Sequence, residues 1–259
     1  CLVCRRCDTK CPVGIELTPI RMIQRRNGEG QYEYKNSYKG YLRTRVPVTS
    51  LRINPGASYD FIPSIEPVKA DVLYFAGCMT HLTPSIKNSM IKILEASGVN
   101  YSFIDEQGGI CCGRPLMLAG KDREARELIS HNSELIWKSG AKTLVTSCPI
   151  CYKVFRESYY LDVEVLHHSQ FISNMIDSGS IKLNFLRKRV VYHSPCDLGR
   201  GSGVYDEPKE VLAHISRLEK TRFEDENSLC CGGSLGNVVI SQEKRRKIAG
   251  DMALELTRT

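Results

Sequence analysis

Short apolar segments alternate with longer amphipathic segments along most of the chain after residue 70. Three apolar segments predict buried strands: ADVLYFAGC (70–78), VNYSFID (99–105) and AKTLVTSCPIC (141–151). Between them, two segments have helical periodicity and stop at a glycine: PSIKNSMIKILEASG, with Pro84 near its start, and KDREARELISHNSELIWKSG. EVLHHSQFISNMIDSG adds a further strand and helix. This alternation predicts a parallel sheet covered by helices.

A shorter version of the same pattern follows. KRVVYHSPC predicts a strand that ends in a cysteine, EPKEVLAHIS a helix, LCCGGSLGN a loop, and SQEKRRKIAGDMALELTRT a long helix. The loop repeats the Cys-Cys-Gly of the earlier GGICCGRP. Cys78 and Cys111 are 33 positions apart, and Cys196 and Cys230 are 34 apart. We therefore expect two repeated α/β domains.

The segment before residue 70 has a different character. VGIELTPIRMIQRRN predicts a short helix, with Thr18 as its cap and Pro19 at its first position. Residues 27–69 are rich in Gly, Pro, Asn and Ser and predict a linker or wrapping arm. The expected organisation is a mostly helical ferredoxin-like module followed by an arm and two α/β domains with parallel sheets. Its boundaries are 1–26, 27–69, 70–185 and 186–259.

Composition narrows the function classes. The chain has 259 residues, of which 12 are cysteines, with 42% hydrophobic residues and a net charge of +7. We find no apolar run of the roughly 18 residues that a membrane span needs, no secretory signal and no nucleic-acid motif. The basic residues are scattered, as on a solvated surface or a docking face for an acidic partner or anionic substrate. Because the chain begins with Cys1 and ends within a helical pattern, we expect a fragment of a longer protein.

The cysteine content calls for a chemical reason. Disulfide scaffolds belong to short secreted chains, so metal or redox-cofactor binding in a reducing compartment is the better interpretation. CLVCRRCDTKCP places Cys1, Cys4, Cys7 and Cys11 in the ferredoxin-type run for a cubane [4Fe–4S] cluster. The first three would hold one cluster, and Cys11 would complete a neighbouring one. Zinc is the alternative, but zinc ribbons use two well-separated pairs.

Five cysteines of the first repeat follow predicted strands or lie in strand-to-helix loops, where open α/β sheets build their sites. They are Cys78, Cys111, Cys112, Cys148 and Cys151. Five thiolates exceed the usual four of zinc and suit a larger iron–sulfur assembly. The glycine after the adjacent pair permits a backbone bend that lets both thiols reach different irons. A vicinal disulfide or ordinary buried cysteines are the alternatives.

The second repeat contains Cys196, Cys230 and Cys231 and lacks a Cys-x2-Cys pair. The spacing of the first repeat would put that pair near position 267. We therefore expect the pair in the parent protein, beyond the end of the present chain.

The pattern from Cys78 to Cys151 resembles the cysteine-rich CCG domain. A ferredoxin module ahead of two such domains is similar to the catalytic subunits of heterodisulfide reductases and to the iron–sulfur subunit of glycolate oxidase. The resemblance implies a non-cubane [4Fe–4S] cluster on the five cysteines of each complete motif. It implies an oxidoreductase, active within a multi-subunit complex, in which electrons pass from cubane clusters to a non-cubane cluster that reduces a disulfide.

Other residues and partners follow from this hypothesis. Arg114, Arg200 or Lys121 could attract an anionic disulfide, or could be plain surface charge. His81 or His193 could donate a proton to a departing thiolate, or could simply pack near the cysteines; His167 and His168 are expected to be structural. Expected partners are an electron-donor protein, a membrane cytochrome subunit or a flavoprotein subunit, at a cytoplasmic location.

Two other functions stay open. The chain could be an electron relay of a flavin-dependent glycolate, lactate or glycerol-3-phosphate dehydrogenase. Its clusters could also serve only as a scaffold for the loops.

Overall fold

The computed structural model describes residues 2–27, 67–106, 110–118, 120, 122–233 and 240–258. Cys1, Lys121 and residues 28–66, which form most of the expected arm, lie outside the described residues. The strands in the described ranges are β1 Val72–Phe75, β2 Tyr101–Phe103, β3 Thr143–Thr146, β4 Glu164–His167, β5 Arg189–Val191 and β6 Arg217–Glu219. The α-helices are α1 Arg6–Thr9, α2 Leu17–Arg26, α3 Gly77–His81, α4 Pro84–Ser97, α5 Arg114–Leu118, α6 Asp122–Ser139, α7 Pro149–Ser158, α8 His168–Asp177, α9 Gly199–Ser202, α10 Asp206–Ile215 and α11 Gln242–Thr257.

The chain forms two compact units. The first, which we call the four-stranded unit, comprises the described residues within Glu33–Met117 and Asp122–Phe171. The second, the two-stranded unit, comprises those within Cys1–Tyr32, Leu118–Lys121 and Ile172–Thr259. None of the helices in the described ranges is both long and apolar enough to cross a bilayer.

The sheet of the four-stranded unit is parallel throughout, as the alternating pattern predicted. Its strand order is β2-β1-β3-β4, with Val72 of β1 opposite Tyr101 on one side and Thr143 on the other. Strand order therefore reverses between β1 and β3. In such sheets the carboxyl ends of the strands on either side of this reversal border a crevice, which is where sites form.

Burial on both faces explains why these strands read as continuous apolar runs. All four residues of β1 are buried, as are three of the four in β3. On one side, Leu73 and Phe75 belong to a core cluster that includes Leu135 of α6 and Phe155 of α7. The core thus fixes the carboxyl ends of β1 and β3 relative to the helices that follow them.

The two-stranded unit repeats one strand–helix–strand step. Strands β5 and β6 are parallel, with Arg189 opposite Arg217, and α10 lies between them in sequence. The same unit contains α1 and α2 from the N-terminal segment and α11 at the other end of the chain.

The start of α2 differs from the expected one. The helix begins at Leu17, so Thr18 and Pro19 lie inside the first turn, and the capping residue Glu16 makes no side-chain cap hydrogen bond. Instead the Asp8 carboxylate accepts the N–H groups of Leu17 at 2.8 Å and Thr18 at 3.1 Å. Asp8, nine positions before Leu17, thus caps the helix in place of the expected Thr18. The folded loop between them brings its carboxylate to the helix start.

We predict that Asp8→Ala costs about 1 kcal/mol of local helix stability, since two N–H groups at the helix start lose their acceptor. Hydrogen exchange at the Leu17 and Thr18 amides measures this. Glu16→Ala is the control, because its side chain caps nothing. Equal acceleration in both variants would contradict the assignment of the cap to Asp8.

Candidate metal centre

The five cysteines of the first repeat meet at the carboxyl edge of the parallel sheet. Cys78 lies on α3, directly after β1, and Cys111 and Cys112 lie in the loop before α5. Cys148 precedes α7, and Cys151 lies in the first turn of that helix, not on the strand end as expected. The sheet therefore delivers thiols from three separate loops to one place.

Successive contacts link the five thiols. Cys78 lies against Cys111, Cys111 against Cys112, Cys112 against Cys151, and Cys151 against Cys148. Cys78 is partly exposed, and the other four are at most 5% exposed. All of them are free thiols, as are the other six cysteines of the described residues, so the structure has no vicinal disulfide at Cys111 and Cys112.

The thiols of this group change one another's proton affinity. Hydrogen bonding from Cys111 and then Cys151 lowers the pKa of Cys112 to about 6, against the effect of burial. Contact with Cys112 is the main cause that raises the pKa of Cys151, and contact with Cys148 and burial add to it. Contact with Cys111, followed by burial, raises the pKa of Cys78. The lowered pKa favours the thiolate form of Cys112, and thiolates are the form that binds metals.

The donor chemistry of these residues fits an iron–sulfur cluster. In the described ranges, no group of three or more His, Cys, Asp or Glu side chains surrounds a position for one metal ion. Cysteine thiolates are the usual ligands of an iron–sulfur cluster. Five adjacent, free and largely buried thiols supply the donor chemistry for it.

The glycine after each cysteine pair has the backbone conformation that the duplicated Cys-Cys-Gly predicted. Gly113 has φ +95° and Gly232 has φ +91°. A side chain is strained in this region, and at Gly232 a Cβ would also lie 2.6 Å from the Arg245 carbonyl oxygen. The two loops therefore share a bend that requires glycine.

Asp105 organises the loop that contains Cys78, and the sequence interpretation missed it. Its buried carboxylate accepts the N–H groups of Ala76 at 2.9 Å and Gly77 at 2.8 Å. It also lies 3.2 Å from Nε2 of His81, whose side chain is nearly buried. Its position in the sequence could have indicated this role, because Asp105 ends the apolar segment of β2 and therefore lies on the same sheet edge as the cysteines.

Asn132 and Tyr159 secure the Cys111–Cys112 loop through its carbonyls. The Asn132 amide donates to the Cys111 carbonyl at 2.9 Å and to the Tyr159 hydroxyl at 2.8 Å. The Tyr159 hydroxyl donates in turn to the Cys112 carbonyl at 3.1 Å. Both residues are buried, so these bonds replace solvent for a loop that has no regular structure. Neither residue was singled out from sequence.

A second group of thiols forms in the two-stranded unit and contains an unexpected member. Cys4 of the N-terminal run contacts Cys230, with Cys196 and Cys231 nearby. Contact with Cys230 lowers the pKa of Cys4 to about 5, and the same contact raises that of Cys230. Burial and then the Asp197 charge raise the pKa of Cys196 to about 12. The structure thus brings part of the ferredoxin-type run to the cysteines of the second repeat.

The other cysteines of the N-terminal run have local contacts. The exposed Cys7 thiol lies 3.6 Å from the Asp8 carboxylate, and the Cys11 sulfur accepts the Ile15 N–H at 3.3 Å. Cys1 lies outside the described residues.

His193 lies beside a backbone carbonyl, whereas His167 and His168 are buried. Nε2 of His193 lies 2.9 Å from the Leu229 carbonyl, which precedes the second cysteine pair. His167 and His168 are buried, and burial lowers the pKa of His168 to about 4 and places that of His167 well below its usual value. Both are therefore neutral at physiological pH.

We predict that Gly77→Ala impairs the site more than Gly98→Ala. Both glycines have similar φ, +76° and +68°, so both substitutions cost about 1 kcal/mol of backbone strain. At Gly77 the new Cβ would also lie 2.8 Å from the Cys151 sulfur, whereas at Gly98 it meets no atom within 4 Å. We expect an additional loss of about 1–3 kcal/mol for Gly77→Ala in urea unfolding of the reduced, metal-free chain. Equal losses would show that the thiol contact is unimportant.

We predict that Tyr159→Phe destabilises the chain by about 1–3 kcal/mol, because it leaves the buried Cys112 carbonyl without a donor. The matched control is Tyr160→Phe, whose side chain is fully exposed and should lose less than about 0.5 kcal/mol. Denaturant unfolding measures both. An unchanged free energy of unfolding in Tyr159→Phe would mean that water or another group donates to the Cys112 carbonyl.

Comparison with known proteins places these cysteines in a family. The model of the cysteine-rich domain family, CCG, matches residues 72–156 and 190–258, which together are more than half of the chain. No solved structure gives a significant match.

Curated relatives extend this similarity. The chain is 30% identical over 259 residues to a subunit of the dihydromethanophenazine:CoB–CoM heterodisulfide reductase of Methanosarcina mazei, covering 91% of this chain and 62% of the relative. It is 28% identical over 251 residues to a subunit of the fumarate reductase (CoM/CoB) of Methanothermobacter marburgensis, covering 91% and 48%. It is 25% identical over 276 residues to EtfAB:quinone oxidoreductase of Syntrophomonas wolfei, covering 94% and 37%.

The chain spans less than two thirds of the length of each of these three relatives. The two matched segments include all eight cysteines from Cys78 to Cys231 and the Cys-Cys-Gly of both repeats. Together with the spacing of those cysteines, these matches show that the chain belongs to the cysteine-rich CCG domain family.

Proposed function

We propose that this chain is the iron–sulfur part of an oxidoreductase that reduces a disulfide. The observation that carries the proposal is the set of five free thiols, four of them buried, at the reversal point of a parallel sheet. Similarity to heterodisulfide reductase subunits over 91% of the chain supports the same reaction class.

The proposed ligands of the catalytic cluster are Cys78, Cys111, Cys112, Cys148 and Cys151. When bound, an iron–sulfur cluster supplies single electrons and an iron atom that can take a substrate sulfur. The protein's own contribution is position and burial. Asp105, Asn132 and Tyr159 hold the two loops, and burial of four thiols excludes water from most of the site. The partly exposed Cys78 marks the side from which a substrate would approach.

The net reaction requires an electron donor and a source of protons. A disulfide takes up two electrons and two protons, its S–S bond breaks, and two thiols leave. The electrons arrive one at a time from a donor protein, for which we propose an electron-donor subunit or a membrane cytochrome subunit. Free cysteines support a reducing, cytoplasmic location for the protein.

The N-terminal run supports a further part of the proposal. Cys1, Cys4, Cys7 and Cys11 would hold cubane clusters that feed electrons into the CCG domains. Cys196, Cys230 and Cys231 would be part of a second cluster site. The contact of Cys4 with Cys230 supports a short path between these two sites.

Cluster binding is tested first on this chain, prepared anaerobically with iron and sulfide. We expect Cys112→Ser to lose about four iron atoms per chain and the signal of one cluster. Cys7→Ser is the reciprocal control, because it removes a thiol of the N-terminal run and should leave the cluster at Cys112 intact. Colourless protein without acid-labile sulfide would end the proposal.

Disulfide reduction is tested on the full-length protein with a reduced viologen dye as donor. We expect two dye equivalents consumed and two thiols formed for each disulfide, and background rates in Cys112→Ser. Reversible cluster reduction without turnover would identify an electron relay instead. Clusters that the dye cannot reduce would identify a scaffold.

A further inference from the structure

Arg200 is held rigidly next to the second group of thiols. It lies on α9, a single turn that follows shortly after Cys196. The Gly199 N–H donates to the Pro195 carbonyl and the Gly201 N–H to the Cys196 carbonyl, both at 2.8 Å. These bonds tie the turn that presents Arg200 to the backbone of Cys196 itself.

The guanidinium of Arg200 connects two loops that contain cysteines. Its Nε donates to the Cys4 carbonyl at 2.9 Å. Its Nη1 donates to the Ser228 carbonyl at 2.8 Å, the Ser228 hydroxyl at 3.0 Å and the Glu226 carbonyl at 3.1 Å. The Ser228 hydroxyl also donates to the Ser194 carbonyl at 2.9 Å. One side chain thus joins the N-terminal run to the segment that leads into the second cysteine pair.

The charge of Arg200 also faces the thiols. Its Nη2 is buried and has no hydrogen-bond partner among the described residues. The positive charge lies within electrostatic range of the Cys4 and Cys196 thiols. A fixed positive charge stabilises added negative charge nearby, so it should also favour the reduced form of a cluster in this place.

We propose that Arg200 is a positioning residue that docks the N-terminal cysteine loop onto the second Cys-Cys-Gly loop and raises the reduction potential of the cluster held there. Docking is a property of the chain alone, whereas the effect on potential rests on the proposed function. The proposed role of Arg200 is to hold these two cysteine loops together.

Two substitutions separate the parts of the proposal. Arg200→Gln removes both the charge and most of the donors, whereas Arg200→Lys keeps the charge and loses the fork that reaches two loops at once. Arg246→Gln, at an exposed position of α11, is the control for the loss of one positive charge.

Hydrogen exchange on the metal-free, reduced chain tests docking. We expect amide exchange in residues 2–8 and 225–231 to accelerate about tenfold or more in both Arg200 variants and not in Arg246→Gln. A general loss of folding would instead accelerate the strands of the four-stranded unit. Unchanged exchange in the two segments, or acceleration throughout the chain, would overturn the docking role.

An EPR-monitored redox titration of the loaded chain tests the effect on potential. At a fixed applied potential we expect Arg200→Gln to lower the reduced-to-oxidised ratio of one cluster about tenfold, a shift of about 59 mV for one electron. Arg200→Lys should recover most of this shift, and Arg246→Gln should show little of it. An unchanged potential in Arg200→Gln would overturn this part. A wild-type chain that binds no cluster would instead overturn the proposed function and leave the docking result valid.

Discussion

The burial and mutual contact of the five thiols between Cys78 and Cys151 are the constraint on which the rest of that site depends. Four of the five are buried, and contact with Cys111 and Cys151 lowers the pKa of Cys112, which favours its thiolate form. A buried anion is stable only with hydrogen bonds or a bound cation, so this arrangement favours occupation by a metal cluster. The Cys111–Cys112 loop beside it lacks regular structure, and its carbonyl groups need partners of their own, which the Asn132 amide and the Tyr159 hydroxyl supply.

A Cys-Cys-Gly loop occurs twice, once beside the four-stranded sheet and once beside the two-stranded sheet. In the four-stranded unit, the carboxyl ends of β1 and β3 border the reversal of strand order, and the cysteines follow them. In the two-stranded unit, a single strand–helix–strand step supports Cys196 and the second pair. Both Cys-Cys-Gly loops have a glycine with positive φ, so the duplication extends to the backbone conformation of the loop. The smaller unit adds contacts from the N-terminal run, through Cys4 and Arg200.

Polar residues at the sheet edge help to shape the site by binding backbone groups next to the cysteines. The sequence pattern would assign the whole site to the cysteines alone. Asp105 binds two consecutive N–H groups before Cys78, and His193 binds the carbonyl before Cys230. Each binds backbone next to a cysteine. Loss of such a residue should therefore disturb the backbone of the site without removing any thiol, so the effects of loop geometry and of the thiols are separable by mutation.

The sequence by itself determined the parallel α/β class, most helix and strand positions, the duplicated cysteine pattern and the need for glycine after each pair. These follow from local periodicity and from backbone conformations that few residues can adopt. It misplaced the cap of α2, because the acceptor comes from Asp8, nine residues before the helix. Only the tertiary structure decided that Asn132 and Tyr159 hold one cysteine loop, that Cys4 meets Cys230, and that Arg200 joins two loops. The physical reason is that such contacts join residues 21 to 226 positions apart, and hydrogen bonds over that separation leave no periodic trace in the sequence.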